Sequence, residues 1–166
     1  MTGAALGTSR RGARVSGVVL AAGAGSRLGR PKAELVVRGE RLLDRAVRVL
    51  REGGCDEVIA VVRPGGTAPE PWPVPSEARP CSERGTGGWA RTVVNPDPRR
   101  GLGSSLRLGL AAATGQRAVI MLVDTPGVPA AAVRAVLVAD APVAVASYGG
   151  RRGHPVVLAA GYWERV

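Results

Sequence analysis

Phenylalanine is absent from this 166-residue chain, and all aromatic residues together make up only 3% of it. A protein with so few rings has almost nothing on which to stack bases, which argues against a nucleic-acid binder of the base-stacking kind. Two cysteines, Cys55 and Cys81, are too few for a disulfide framework or a metal cluster and read as reduced structural thiols. No stretch approaches the ~20 consecutive apolar residues that a membrane-spanning helix needs. Lysine, asparagine and histidine occur once each, as Lys32, Asn95 and His154. Glycine and proline are abundant and arginine replaces lysine almost throughout, the profile of a GC-rich coding bias. Against such a bias the three singletons stand out as candidates for function.

Apolar residues make up 45% of the sequence and charged residues 22%, enough for a real core, so wholesale disorder is excluded. The length fits one domain. The core must be built from Val, Leu and Ala, which suits buried parallel strands and Ala-rich helices. The net charge of +10 would suit a nucleic-acid partner, but the arginines are scattered along the chain rather than clustered. The charge reads as composition, with some steering of anionic ligands. Residues 1–14 read as a flexible basic tail. Arg10, Arg11 and Arg14 precede an uncharged run, and Ala22 to Ala24 imitate a cleavage site. The run is interrupted by Gly and Ser and flows into a Gly-rich motif, so the expectation is a cytoplasmic protein rather than an exported one.

Apolar runs predict strands over 15–21, 57–62, 92–94, 118–123, 142–147 and 156–158. Helical spacing predicts helices over 41–50, closed by Gly53 and Gly54, over 104–113, opened by a Ser, and over 129–138, with Pro129 in its first turn. Strands alternating with helices imply an α/β fold with a parallel sheet and right-handed crossovers. Residues 64–91 break the pattern as a long Pro/Gly-rich loop where a crossover helix is expected.

Ligands of open α/β sheets bind outside the carboxyl ends of the strands. After the first strand comes Ala22-Gly23-Ala24-Gly25-Ser26-Arg27, leading to Lys32. After the second comes Arg63, after the third Asn95, and after the fourth Asp124. A Gly loop with cations, an amide and a carboxylate on one edge suits a metal-bound nucleotide. The glycines are spaced one residue too far apart for a dinucleotide fingerprint, and Arg30-Pro31-Lys32 is not the end of a P-loop. Backbone N–H groups at Gly23, Gly25 and Ser26 can instead face phosphate oxygens, with Arg27 and Lys32 neutralising charge from the side. Plainer roles stand beside these. The Gly loop can be an ordinary turn, Asp124 can cap the following helix, His154 can be a packed turn residue, and Asn95 before a proline is a good turn former.

Four segments resemble the MobA-like nucleotidyltransferases, in their molybdenum cofactor cytidylyltransferase branch. LAAGAGSRLGRPKAEL (20–35) resembles the signature L-A-A-G-x-x-x-R-x-G-x-P-K. VVNPDPRRGLGSSLRLGL (93–110) resembles the N-P-D…G-M-S-S-S-L segment. MLVDTPGV (121–128) resembles L-V-D-x-P, and GGRRGHPVVL (149–158) resembles G-x-x-G-H-P-V-L. The resemblance implies a Rossmann-like three-layer sandwich with a mostly parallel sheet, of the nucleotide-diphospho-sugar transferase type, formed by residues 15–166. It implies transfer of NMP, CMP from CTP being favoured by the L-A-A-G form over L-A-G-G, onto molybdenum-bound molybdopterin with release of pyrophosphate. It leaves open guanylyl transfer, another phosphorylated acceptor, or a non-catalytic nucleotide- or pterin-binding homologue, and a molybdoenzyme or its chaperone as a protein partner.

Residue by residue, the resemblance places Leu20, Ala21, Ala22, Gly23, Ala24, Gly25, Ser26, Arg27 and Lys32 on the nucleotide. Arg27, Lys32 and Asp124 are the catalytic set, with Asp124 on Mg²⁺. Arg63, Asn95, Gly103, Ser104 and Ser105 lie toward base and sugar, and Gly153, His154 and Pro155 on the acceptor side. The family continues past the position of Val166 to a second acidic segment resembling D-x-D-T-P-E-D, which this sequence does not contain. With Asp124 alone on the metal, the expectation is a C-terminally short fold built on five strands with a bare sheet edge and weak or no transferase activity.

Overall fold

The computed structural model describes residues 13–23, 25, 29–70 and 90–166. Six strands form one sheet: β1 (Val15–Leu20), β4 (Glu57–Val62), β5 (Ala90–Val94), β6 (Arg117–Leu122), β7 (Val143–Tyr148) and β8 (Arg151–Ala159). Two further two-residue strands, β2 (Val36–Val37) and β3 (Glu40–Arg41), pair as a small hairpin outside it. The strand order is β5-β4-β1-β6-β8-β7. β1, β4, β5 and β6 run parallel, whereas β8 runs antiparallel to both β6 and β7. The sheet is therefore mostly but not wholly parallel. The reversal comes from Gly149 and Gly150, both at positive φ, which turn β7 directly into β8 without a crossover helix.

Alternation along β1 assigns the two faces. Val19 and Ala21 pack with α1 (Leu42–Glu52) and α3 (Ala130–Val138) on one side. Val18 and Leu20 pack with α2 (Leu102–Ala112) and the C-terminal 3₁₀ turn Ala160–Arg165 on the other. The result is three layers. Without phenylalanine, elements approach each other closely at glycines: a Cβ at Gly109 of α2 would overlap Val18 of the sheet, and one at Gly53, after α1, would overlap Val133 of α3 in the same layer. At the amino end of the sheet, Glu57 ties several elements together, accepting from Ser16 Oγ at 2.6 Å, from Thr114 N and Oγ1 at 2.8 Å each, and from Arg91 Nη2 at 3.0 Å.

Several expectations change in detail. The second and third helices begin at Leu102 and Ala130, with Gly101 and Pro129 as their N-caps, so Ser104 does not open α2 and Asp124 does not cap α3. The sheet takes in the sixth expected strand as well as the five on which the fold was expected to be built, and this strand, β8, starts at Arg151, well before the expected 156. The tail expected over 1–14 lies outside the described residues up to 12, as do 71–89 of the long loop and Cys81. Cys55 is buried as expected, and burial pushes its thiol up to about 12, which makes it inert. Among the described residues no helix is long and apolar enough to cross a membrane.

Candidate functional site

A cavity of about 450 Å³ opens at the carboxyl edge of the sheet, where the ends of β1 and β6 meet the approach to α2. Leu20, Ala22, Gly23, Gly25 and Lys32 line it from the β1 side, and Leu122, Val123 and Asp124 from the β6 side. Pro98, Gly101, Leu102 and Ser105 close the third side.

The β1 loop reaches this position through its glycines. Gly25 has φ +61 and its Cα faces the Arg30 carbonyl so closely that no Cβ fits, so only glycine lets the loop fold back there. Pro31 then precedes a single 3₁₀ turn, Lys32–Glu34, which presents Lys32 at the cavity. Asp124 follows the end of β6 by two residues. Lys32 Nζ donates to Asp124 Oδ2 at 2.7 Å. Both side chains are about 40% exposed (42% and 39%), and an ion pair so wet contributes at most about 1 kcal/mol to stability. Its interest is chemical: the lone lysine and a hard oxygen donor meet at the mouth of a cavity between 92 positions of sequence.

The third side is organised by Asn95, which follows β5 and is only 2% exposed. Its Nδ2 donates to Ser104 Oγ and Ser105 Oγ at 2.9 Å each, and its Oδ1 accepts from Asp97 N at 3.0 Å. Ser104 Oγ in turn donates to Gly101 O at 2.8 Å. Gly101 caps α2 with φ +91, and the first turn of that helix adds its partial positive charge to the cavity. Arg99 and Arg100 stand exposed in the 3₁₀ turn just before it.

The structure thus brings Leu20, Ala22, Gly23, Gly25, Lys32, Ser105 and Asp124 into one lining. It does not bring the others there. Ala21 faces α1, because strand alternation turns it to the opposite layer from Leu20. Arg63 and Asn95 lie at the same edge behind the lining, and Gly103 and Ser104 lie in the first turn of α2 without facing the cavity. β8 enters the sheet antiparallel at the carboxyl end of β6, so Gly153, His154 and Pro155 share the edge with Asp124 but stand outside the cavity. His154 is half-buried there, its Nδ1 3.3 Å from Ile120 O, and its carbonyl accepts from Tyr148 Oη at 2.8 Å. Ala24, Ser26 and Arg27 lie outside the described residues. Pro98, Gly101, Leu102, Leu122 and Val123 line the cavity without having been singled out from sequence. Their signal was position, directly after β5 or at the end of β6, within the motif segments 93–110 and 121–128.

Among the described residues no group of three or more His, Cys, Asp or Glu is placed to hold a metal by itself. Asp124 offers a single carboxylate. That suits a Mg²⁺-like ion, which is commonly held by one or two carboxylates with phosphate oxygens and waters completing its shell.

Among curated proteins, nicotine blue oxidoreductase of Paenarthrobacter nicotinovorans is 39% identical over 158 residues, 89% of this chain and 72% of that protein. A probable molybdenum cofactor guanylyltransferase of Opitutus terrae is 37% identical over 124 residues, 74% of this chain. The chain spans about half, 54%, of that relative's length. Among solved structures, the Rv0371c protein of Mycobacterium tuberculosis H37Rv superposes with a TM-score of 0.72 at 25% identity, over 92% of this chain and 75% of that one. The same mycobacterial protein has also been solved in complex with manganese. Residues 17–166 match the MobA-like NTP transferase domain, and the chain belongs to that family.

Proposed function

We propose that this chain moves a nucleoside monophosphate from a nucleoside triphosphate onto a phosphorylated acceptor, with molybdenum-bound molybdopterin as the acceptor and CMP from CTP favoured by the L-A-A-G form of the β1 loop, although the molybdenum cofactor relative is named a guanylyltransferase. The observation that carries the reading is the Lys32–Asp124 pair at the mouth of a cavity walled by glycines and by the first turn of α2. In the reaction, an acceptor phosphate oxygen bonds to the α-phosphorus, the bond from that phosphorus to the bridging oxygen breaks, and pyrophosphate leaves. Such a transfer needs positioning and charge neutralisation rather than a protein nucleophile.

The residues fit those needs. Lys32 turns from Asp124 to a phosphate oxygen, and the backbone N–H groups of Gly23 and Gly25 face the same anion. Leu20, Leu102 and Leu122 give the nucleoside an apolar seat, and the buried methyl of Ala22 narrows that seat toward a pyrimidine. Asp124 would hold a Mg²⁺-type ion together with phosphate oxygens. The ion would supply charge neutralisation at the triphosphate. Arg27 belongs to the same loop and completes the proposed catalytic set. Gly153, His154 and Pro155, beside Asp124 on the sheet edge, are the proposed acceptor side.

The experiment is a thermal-shift panel of CTP, GTP, ATP and UTP, each with and without Mg²⁺, with NADPH as a further arm because one relative is named an oxidoreductase. Saturation at about 100 times Kd stabilises the fold by about 2.7 kcal/mol, a shift that is easily measured. Metal-enhanced stabilisation by one triphosphate supports the proposal, and CTP above GTP supports the base assignment. Stabilisation by GTP alone moves the reading to guanylyl transfer. No response to any triphosphate, or a response to NADPH alone, overturns it.

A further inference from the structure

The one asparagine of the chain is spent on the protein itself. An asparagine side chain has two donor hydrogens and two acceptor lone pairs. In Asn95 both hydrogens go to serine hydroxyls of α2, one lone pair goes to the Asp97 N–H, and the side chain is almost wholly shielded from solvent. Its own backbone N–H donates to Val62 O at 2.8 Å, which anchors the residue to the end of β4. Little remains with which to grip a base or a sugar.

What Asn95 holds is the cavity's third wall. α2 has no side-chain N-cap, since Gly101 occupies that position. Asn95 supplies the missing restraint from the side, through Ser104 and Ser105, while Ser104 ties back to Gly101 O. Gly101, Leu102 and Ser105 of this turn line the cavity. The geometry also explains the residue type. Aspartate can keep the same partners only if both serine hydroxyls turn to donate to it, serine is too short to span two hydroxyls and the Asp97 amide, and glutamine would push the helix away.

We propose that Asn95 is a positioning residue that sets nucleotide affinity by fixing the first turn of α2 as a wall for base and ribose, without touching the nucleotide. This rests on the nucleotide-binding reading above. Losing the buried hydrogen bonds of Asn95 loosens this wall, so Asn95→Ala should weaken CTP binding roughly 10- to 100-fold. Its KM should rise by the same factor with kcat within about 3-fold, because the reacting phosphates lie on the Lys32 side.

The test is calorimetric binding of CTP and of inorganic pyrophosphate to wild type, Asn95→Ala, Ser104→Ala/Ser105→Ala, and the triple variant. A residue that acts through the serines adds nothing once they are gone, so the triple variant should bind CTP within about 2-fold of the double. Pyrophosphate, which needs only the Lys32 side, should keep its affinity in all four proteins. Asn95→Asp preserves shape and lets the hydroxyls turn to donate. It serves where Asn95→Ala does not fold, and should recover most of the CTP affinity. Additive losses, a parallel fall for pyrophosphate, or an Asn95→Asp variant as weak as Asn95→Ala overturns the positioning role alone. A wild-type protein that binds pyrophosphate but neither CTP nor GTP overturns the nucleotide reading as well.

Discussion

Glu57 should make the fold's stability fall steeply in acid, and the structure sets the size of the effect. Its carboxylate is only 12% exposed, and burial by itself would push its pKa up. The hydrogen bonds from Ser16, Thr114 and Arg91 outweigh that penalty and hold the group at about 2, against an ordinary value of 4.5. The folded pKa is depressed, so the stabilisation is fully present above pH 4.5 and is lost as the pH falls toward 2. A gap of about 2.5 pH units at about 1.4 kcal/mol each is worth roughly 3 kcal/mol at neutral pH. Glu57→Gln removes the charge and turns an amide donor toward groups that themselves donate. At pH 7 it should lower Tm by about 6–12 °C for a chain of this size. Calorimetric melting of both proteins from pH 7 to pH 2 is the assay. The gap in Tm should hold down to about pH 5, shrink below 4.5 and close near pH 2. A gap that does not change with pH would falsify the assignment of the stabilisation to ionised Glu57. Because Glu57 sits at the amino end of the sheet, the variant should bind CTP as wild type does.

Three further outcomes follow from other residues. Lys32→Ala should weaken triphosphate binding or turnover by roughly 10- to 1,000-fold by removing a charge-assisted phosphate contact, and unchanged binding and rate would remove Lys32 from the site. Gly109→Ala forces a methyl into Val18, so despite the ~1 kcal/mol gain in helix propensity it should cost a net ~1–2 kcal/mol, and a raised Tm would show that α2 can lift off the sheet freely. Ala22→Gly should shift competition between equal CTP and GTP toward the purine. A wild-type preference for GTP in the same assay would refute the steric account of base choice.

Much of the scaffold was legible because the apolar runs that become β1, β4 and β6 are pure enough to be read as buried strands. The leucines and valines of α1 also repeat at helical spacing up to the Gly53–Gly54 stop. β2 and β3 were not legible, since two residues on each side of Arg38 and Gly39, exposed in β2 and half-buried in β3, carry no period. The start of β8 was hidden because Arg151 and Arg152 read as a loop, although hydrogen bonding to β7 makes them strand. At the site, the rule that ligands gather at the carboxyl ends of strands was enough to expect Lys32 and Asp124 on one edge. It could not distinguish which residues face the cavity from those behind it. That depends on the side of the sheet for Ala21 and on hydrogen bonds to α2 for Asn95, neither of which local sequence specifies.

The reversed strand β8 has a consequence for how this protein can change. β5, β4, β1 and β6 form a contiguous parallel block, and the β7–β8 hairpin is attached to it along β6 alone within the sheet. The residues proposed for the nucleotide therefore belong to one block of chain, and those proposed for the acceptor to an appended hairpin whose tip can vary in length or sequence without shifting any parallel register. A graft of residues 143–159 from a relative would exchange the proposed acceptor side as a cassette and leave the cavity lining untouched. Such modularity offers a route by which one nucleotide-handling core could be passed among descendants with different acceptors.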